Sequence, residues 1–167
     1  MRITNASIAD AEAIAAVRVA AADRLTREFG DGHWSAHTTG ASVTRDINAS
    51  TVLVARDHER IVGTLTLQNR RPWSVDPEYF SPCKKPLYLV NMAVAPERQL
   101  AGIGRALLTQ ALHVARGCSA HALRLDAYDD PAGSGGFYRR CGYTAVGGKS
   151  YRGVALLYFE LMTGVPE

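Results

Sequence analysis

The stretch Val94-Ala95-Pro96-Glu97-Arg98-Gln99-Leu100-Ala101-Gly102-Ile103-Gly104-Arg105-Ala106-Leu107-Leu108 decides how the rest of the chain is read. Before it, Leu87–Val94 is a nearly continuous apolar run, as expected of a strand buried on both faces. Pro96 stops that strand. After it, Gly102–Ala115 places Ile103, Ala106, Leu107, Ala111 and Val114 on one side of a helix, and Gly117 closes the helix. Leu123–Tyr128 then reads as another strand. A strand–helix–strand unit of this kind is a crossover between two parallel strands.

Working outward, the flanks pair differently. Residues 2–6 suit a short strand. Ser7 with Asp10 three positions on marks a helix start, and Ile14, Val17, Ala21 and Leu25 carry a helical period through Ile8–Phe29 until Gly30 and Gly32. A second, weaker helix lies within Ser42–Asn48. Thr51–Ala55 and Ile61–Leu67 are β-branched runs around a polar turn, which predicts an antiparallel hairpin. Residues 70–86 hold four Pro and three aromatics, a long loop of the kind that forms a packed lid. Residues 131–141 predict a short helix. Thr144–Tyr151 and Val154–Leu161 predict two strands joined tightly at Arg152-Gly153. The sum is a single α/β domain over residues 1–167: a mixed, mostly antiparallel central sheet with one parallel crossover and helices on both faces.

Bulk properties bound the function. At 167 residues the chain is one domain on the usual length prior of roughly 100–200 residues, and apolar residues are 47% of it. The net charge is +3. Sixteen of the nineteen Lys and Arg are Arg, and they are dispersed, without the basic run that marks a nucleic-acid or membrane patch. Cys83, Cys118 and Cys141 are odd in number and widely spaced, so they read as reduced thiols rather than a disulfide framework or a metal unit. His33 and His37 stand four apart, but Gly30, Gly32 and Thr38-Thr39-Gly40 argue against the firm helix that a metal pair needs; no metal is expected. No signal peptide and no membrane span is apparent, so the expected location is the cytoplasm.

The turn at residues 99–104 carries the chemistry. Gly102 and Gly104 remove side chains where the backbone approaches a partner closely. The free N–H groups of the turn and of the first helical turn make an anion site with the positive helix end, and Arg98 and Arg105 flank it with positive charge. A phosphate or diphosphate fits. The third glycine of a dinucleotide fingerprint is missing, since position 107 is Leu, and the Lys of a Walker A loop is absent.

Gln99-x-x-Gly102-x-Gly104, after a strand ending in Met92-Ala93-Val94-Ala95-Pro96, resembles the acetyl-CoA-binding motif of the GCN5-related N-acetyltransferases. A second segment, Asp130-Pro131-Ala132 followed by Phe137-Tyr138-Arg139-Arg140-Cys141-Gly142-Tyr143, is similar to that family's later motif, with Asp130 where the family usually has Asn. The order of elements matches along nearly the whole chain; the motifs cover roughly residues 87–143. The resemblance implies an enzyme that moves an acetyl group from acetyl-CoA to a primary amine of a small molecule or peptide by direct attack, without an acyl-enzyme. It implies that Gln99, Leu100, Ala101, Gly102, Ile103, Gly104 and Arg105 hold the diphosphate, that Met92, Ala93 and Val94 run along the pantetheine arm, and that Asp130 touches the cofactor.

Tyr138 is then the expected general acid. A phenol with the ordinary pKa of about 10 is protonated at neutral pH and slightly more acidic than an alkylammonium product. Asp126, a carboxylate within an apolar run, reads either as the ion-pair partner of Arg124 on the same strand face or as a group that binds the amine or relays its proton. Asn91 is the strongly polar side chain of Leu87–Val94. Trp34, Tyr79 and Phe80 are either packed loop anchors or walls of an acceptor pocket. Two other readings stand beside the enzyme: a non-catalytic acyl-CoA sensor or interaction module of the same fold, and a nucleotide-binding switch. The acceptor's identity is not legible, and the last strand is one surface through which a homodimer could form.

Overall fold

A computed structural model describes residues 1–166. In chain order the elements are β1 (Arg2–Asn5), α1 (Ala11–Phe29), α2 (Gly40–Ala49), β2 (Thr51–Asp57), β3 (Arg60–Gln68), β4 (Pro86–Val94), α3 (Ile103–Gly117), β5 (Ala122–Tyr128), α4 (Gly135–Arg140), β6 (Thr144–Tyr151) and β7 (Val154–Met162). The strands run in the order β1-β2-β3-β4-β5-β7-β6. β1–β2, β2–β3, β5–β7 and β6–β7 pair antiparallel. β4 and β5 pair parallel, with Pro86, Leu87 and Tyr88 opposite Ala122, Leu123 and Arg124. The expected sheet and crossover are present. The chain divides into two compact units, one from Met1–Gln68 and Val90–Ala111, the other from Asn69–Leu89 and the residues from Leu112 onward.

In the first unit the β2–β3 hairpin is covered on both faces. Val52 and Val54 pack with Ile14, Ala15 and Val17 of α1 and Val43 of α2. The opposite face meets the start of α3. A Cβ on Gly63 of β3 would lie 2.9 Å from Ile103 Cγ2 and 3.1 Å from Leu107 Cδ1, so a bare glycine lets the helix approach the strand. Helix starts follow local chemistry. Ser7 N donates to Asp10 Oδ2 at 2.8 Å, as the spacing suggested, and Arg56 Nη2 donates to the same oxygen at 2.7 Å. α2 begins earlier than its apolar pattern suggested, because Thr39 Oγ1 accepts from Ser42 N at 3.2 Å and caps it.

One expectation about β4 needs correction. It is not buried along its length: Leu87–Leu89 are buried, Asn91 is exposed, and Met92–Val94 are half-buried. Asn91 has φ 54°, in the left-handed region rather than the extended one of its neighbours in the strand. Asn tolerates that conformation better than most residues. The Asn91 side chain donates to Asp46 Oδ2 of α2 at 3.2 Å. Asp46 is itself held by Arg18, whose Nη1 lies 2.8 Å from the same oxygen while its Nη2 donates to Thr66 at 3.1 Å.

In the second unit the long loop before β4 is packed, as expected of its aromatics. Phe80 and Val75 are buried with Tyr88, Leu156 and Tyr158, and the Phe80 ring lies 5.5 Å from that of Tyr158. Tyr158 donates to the Ser74 carbonyl at 2.6 Å, and Lys149 pairs with Asp76 at 2.7 Å. Arg124 is buried and donates from Nε to Glu160 Oε1 at 2.9 Å. It also contacts the Ser81 carbonyl and lies over the Phe80 ring. Ser81 N donates to Glu160 Oε2 at 3.2 Å. This buried pair therefore anchors the loop to the sheet.

Removing one partner of a buried ion pair strands the other charge, at about 3–5 kcal/mol. Arg124→Met is therefore expected to lower unfolding free energy by about that amount, and the double variant Arg124→Met/Glu160→Met to recover part of it. Urea denaturation checks both; a loss below about 1 kcal/mol in the single variant contradicts the anchoring role.

Candidate functional site

The turn after β4 is built by its neighbours. Pro96–Arg98 form a short 3-10 turn, in which Arg98 N donates to the Ala95 carbonyl at 2.8 Å. Ala95 N donates to the Val62 carbonyl at 2.9 Å, fixing the turn to β3. Two ion pairs from the end of the β2–β3 hairpin clamp it, Asp57 with Arg98 and Arg60 with Glu97. The Arg98 guanidinium holds the Asp57 carboxyl below its usual range. Arg98 is thus engaged by a carboxylate.

Beyond the turn the chain opens. Gln99, Leu100, Ala101 and Gly102 are exposed, while Ile103 is buried as the anchor of α3. Leu100 has φ 63° and Gly102 has φ 80°, with open space around the glycine. The Ala106 amide is satisfied by the Gly102 carbonyl at 3.0 Å. Among the described residues no protein acceptor receives a hydrogen bond from the amides of Leu100, Ala101, Gly102, Ile103 or Gly104. These donors cluster at the helix start, where anions are favoured. Gln99 is turned inward. Its Nε2 donates to the Val94 carbonyl at 3.3 Å, and its Oε1 accepts from Arg24 Nη1 at 2.7 Å.

The second set of candidates lies in the other unit. Tyr138 sits on α4, buried, with its ring 5.8 Å from Tyr143 and 5.7 Å from Phe159. Burial pushes its phenol up to about 12, against a hydrogen bond with the Ser134 side chain that pulls it down. The expected ordinary phenol acidity is therefore corrected: the aromatic cage makes Tyr138 a weaker acid than an alkylammonium ion, and keeps it protonated. α4 is also shorter than the residues 131–141 expected. Asp130 Oδ1 accepts from Ala132 N at 2.7 Å and its carbonyl from Gly133 N at 2.9 Å, so the chain turns before the helix begins.

Asp126 does not pair with Arg124, which is taken by Glu160. It stands opposite Tyr158 across β5 and β7. Burial raises its carboxyl, opposed by a hydrogen bond with the Ser74 side chain. Ser74 therefore serves both residues, with its hydroxyl on Asp126 and its carbonyl on Tyr158. Phe80 is a core residue. Tyr79 is partly exposed with its ring 5.4 Å from Tyr158. Trp34 is half-buried against Gly32, on the turn His33–Ser35. Met92, Ala93 and Val94 follow Asn91, in the first unit with the turn.

Arg24 and Ser74 are the participants that sequence reasoning missed. Arg24 lies in a helix whose signal was apolar periodicity, and Ser74 in a loop read for its aromatics; neither type nor spacing marked them. Among the described residues no three His, Cys, Asp or Glu converge as a metal site, and no helix is long and apolar enough to cross a membrane.

The comparisons with known proteins bear on the family and the fold. The model of the Acetyltransferase (GNAT) family matches residues 19–143. No curated protein matches the chain. Among solved structures, yncA from Salmonella typhimurium, determined with its cofactor acetyl-CoA, superposes with a TM-score of 0.71 at 21% identity, over 97% of this chain and 93% of its own. A ribosomal-protein-alanine N-acetyltransferase from Brucella melitensis gives 0.70 at 21% identity, over 97% and 99%. An aminoglycoside 6'-N-acetyltransferase complexed with coenzyme A gives 0.68 at 14% identity, over 100% and 99%. Those likenesses carry the fold, and the family match, spanning most of the sequence and both motifs, carries the assignment: the chain belongs to the GNAT family of acetyltransferases.

Proposed function

We propose that residues 1–167 form a single, cytoplasmic N-acetyltransferase domain that moves the acetyl group of acetyl-CoA to a primary amine of a small molecule or peptide. The observation that carries this reading is the run of amides from Leu100 to Gly104, at the start of α3, that find no acceptor among the described residues. Coenzyme A brings linked phosphates whose oxygens suit such donors. In this reading Gln99, Leu100, Ala101, Gly102, Ile103, Gly104 and Arg105 surround the diphosphate, Ile103 contributing its backbone alone because its side chain is buried. The half-buried Met92, Ala93 and Val94 face the pantetheine arm like an added strand, and Asp130 approaches the cofactor from its turn.

The amine attacks the thioester carbonyl directly. A C–N bond forms, the C–S bond breaks, the nitrogen loses a proton, and the thiolate takes one up from solvent. Tyr138 serves as a hydrogen-bond donor to the sulfur as charge develops there. With its phenol near 12, complete transfer to a thiolate is uphill, because an ordinary thiol has a pKa of about 8.5. Asp126 is the group that takes the nitrogen's proton, directly or through water; its raised carboxyl makes it a better base than an ordinary aspartate. Asn91, Tyr79 and Trp34 are the polar and aromatic side chains proposed to meet the acceptor. The dispersed basic charge supports neither a nucleic acid nor a membrane as partner.

Acetyl-CoA turnover, followed as free thiol against a panel of polyamines, amino acids, aminoglycosides and peptides, tests the activity. The wild type is expected to release thiol with at least one amine, and Tyr138→Phe to lower kcat by roughly a hundredfold or more. Tight acetyl-CoA binding with no turnover for any amine favours the sensor module instead. Unchanged turnover in Tyr138→Phe removes that residue from the reaction.

Asp126 gives a prediction in pH with two signs. Its folded carboxyl lies above the ordinary value. The folded state therefore holds the proton more tightly, and this contribution to stability is lost as pH rises from the ordinary carboxylate range through the folded pKa. Asp126→Asn removes that slope, so it is expected to melt at a higher temperature than wild type at neutral pH. Its kcat/KM should fall by roughly a hundredfold and lose the acidic limb that the wild type shows. A variant that is both less stable and equally active at neutral pH contradicts this role.

A further inference from the structure

Around the phosphate turn, two of the guanidinium groups are already met by carboxylates. Arg98 pairs with Asp57 and Arg60 with Glu97. Arg24 is different. It reaches across from α1, and its closest partners are neutral: Nη1 lies 2.7 Å from Gln99 Oε1 and 3.4 Å from the Pro96 carbonyl. Its one carboxylate neighbour among the described residues, Glu28, is a turn away on the same helix at 3.7 Å, with both side chains largely in water. An exposed pair of this kind is weak.

The contact with Gln99 also fixes which way its amide faces. A guanidinium donates and cannot accept, so it must meet the carbonyl end of the side chain. The amide NH₂ is then the end that faces the Val94 carbonyl, 3.3 Å away. Reversed, two carbonyl oxygens would face each other. Arg24, Gln99 and Val94 thus form a directed relay from α1 to the last residue of β4. It spans the base of the turn whose next five amides have no acceptor among the described residues.

We propose that Arg24 is a positioning residue for the coenzyme: it orients the Gln99 amide, holds residues 99–104 open, and adds positive charge beside the linked phosphates. The inference rests on the reading of that turn as the coenzyme A site. It acts on the diphosphate end alone. A donor that lacks the diphosphate and nucleotide gains nothing from Arg24.

The test compares acetyl-CoA with S-acetylpantetheine, which carries the same thioester and arm without the diphosphate. In Arg24→Met the ratio of kcat/KM for acetyl-CoA over that for S-acetylpantetheine is expected to fall about tenfold, the worth of a hydrogen bond from a charged group, with the change in KM for acetyl-CoA rather than in kcat. Arg24→Lys, which keeps the charge and one donor, is expected to recover most of the ratio. If Arg24→Met fails to fold by thermal melting, Gln99→Met removes the same relay from its other end and is expected to lower the ratio in the same way. An unchanged ratio, or equal losses for both donors, overturns the inference. A wild-type enzyme with no preference for acetyl-CoA overturns the reading of the turn itself, and the two failures are therefore distinct.

Discussion

Backbone amides need acceptors, and a folding chain ordinarily supplies them from its own carbonyls. Among the described residues, the amides from Leu100 to Gly104 find none. Keeping such a segment ordered requires holding it from outside, because it contributes little of its own cohesion. The restraints come from several directions within one unit. Asp57 and Arg60, at the end of the β2–β3 hairpin, clamp Arg98 and Glu97. Val62 takes the Ala95 amide, Arg24 holds Gln99, and Ile103 is sunk into the core beside Gly63. Leu100 and Gly102 within the segment hold left-handed backbone. The proposed coenzyme A site depends on that preorganised set of donors.

The neighbouring unit shows how environment, rather than residue type, sets the acidity of two candidate groups. Tyr138 and Asp126 are both driven toward their neutral forms by burial, and each is moderated by one serine hydroxyl, Ser134 and Ser74 respectively. The consequence differs in kind. A phenol raised to about 12 is a hydrogen-bond donor throughout the physiological range and a poor source of protons. A carboxyl raised from the ordinary aspartate range is a stronger base. Ser74 belongs to the long loop before β4, so the loop that Arg124, Glu160 and Phe80 pin to the sheet also tunes Asp126.

Most of the architecture was legible because periodicity and punctuation are local. The eleven elements appear in the expected order, and the helix after the glycine turn runs over Ile103–Gly117 where Gly102–Ala115 was expected. What was not legible depended on partners distant in sequence. Arg124 and Asp126 share a strand face, which suggested a pair, but Glu160 from β7 competes for the guanidinium and wins. Arg98 was read only as a flank of the turn, because its partner Asp57 is forty-one positions away. β4 looked uniformly buried because Asn91 is one polar residue in an apolar run; its left-handed backbone and its tie to Asp46 and Arg18 are tertiary facts. Phe80 and Tyr79 are adjacent, yet one is core and the other partly exposed.

The central claim is that coenzyme A is gripped by main-chain donors of residues 100–104. The direct measurement is a titration of the ¹⁵N-labelled protein with coenzyme A, following backbone amide resonances. The account predicts that the amides of Leu100, Ala101, Gly102, Ile103 and Gly104 shift together to lower field as they acquire acceptors, and that S-acetylpantetheine leaves those resonances in place. Saturation by coenzyme A with these five amides unmoved would contradict it.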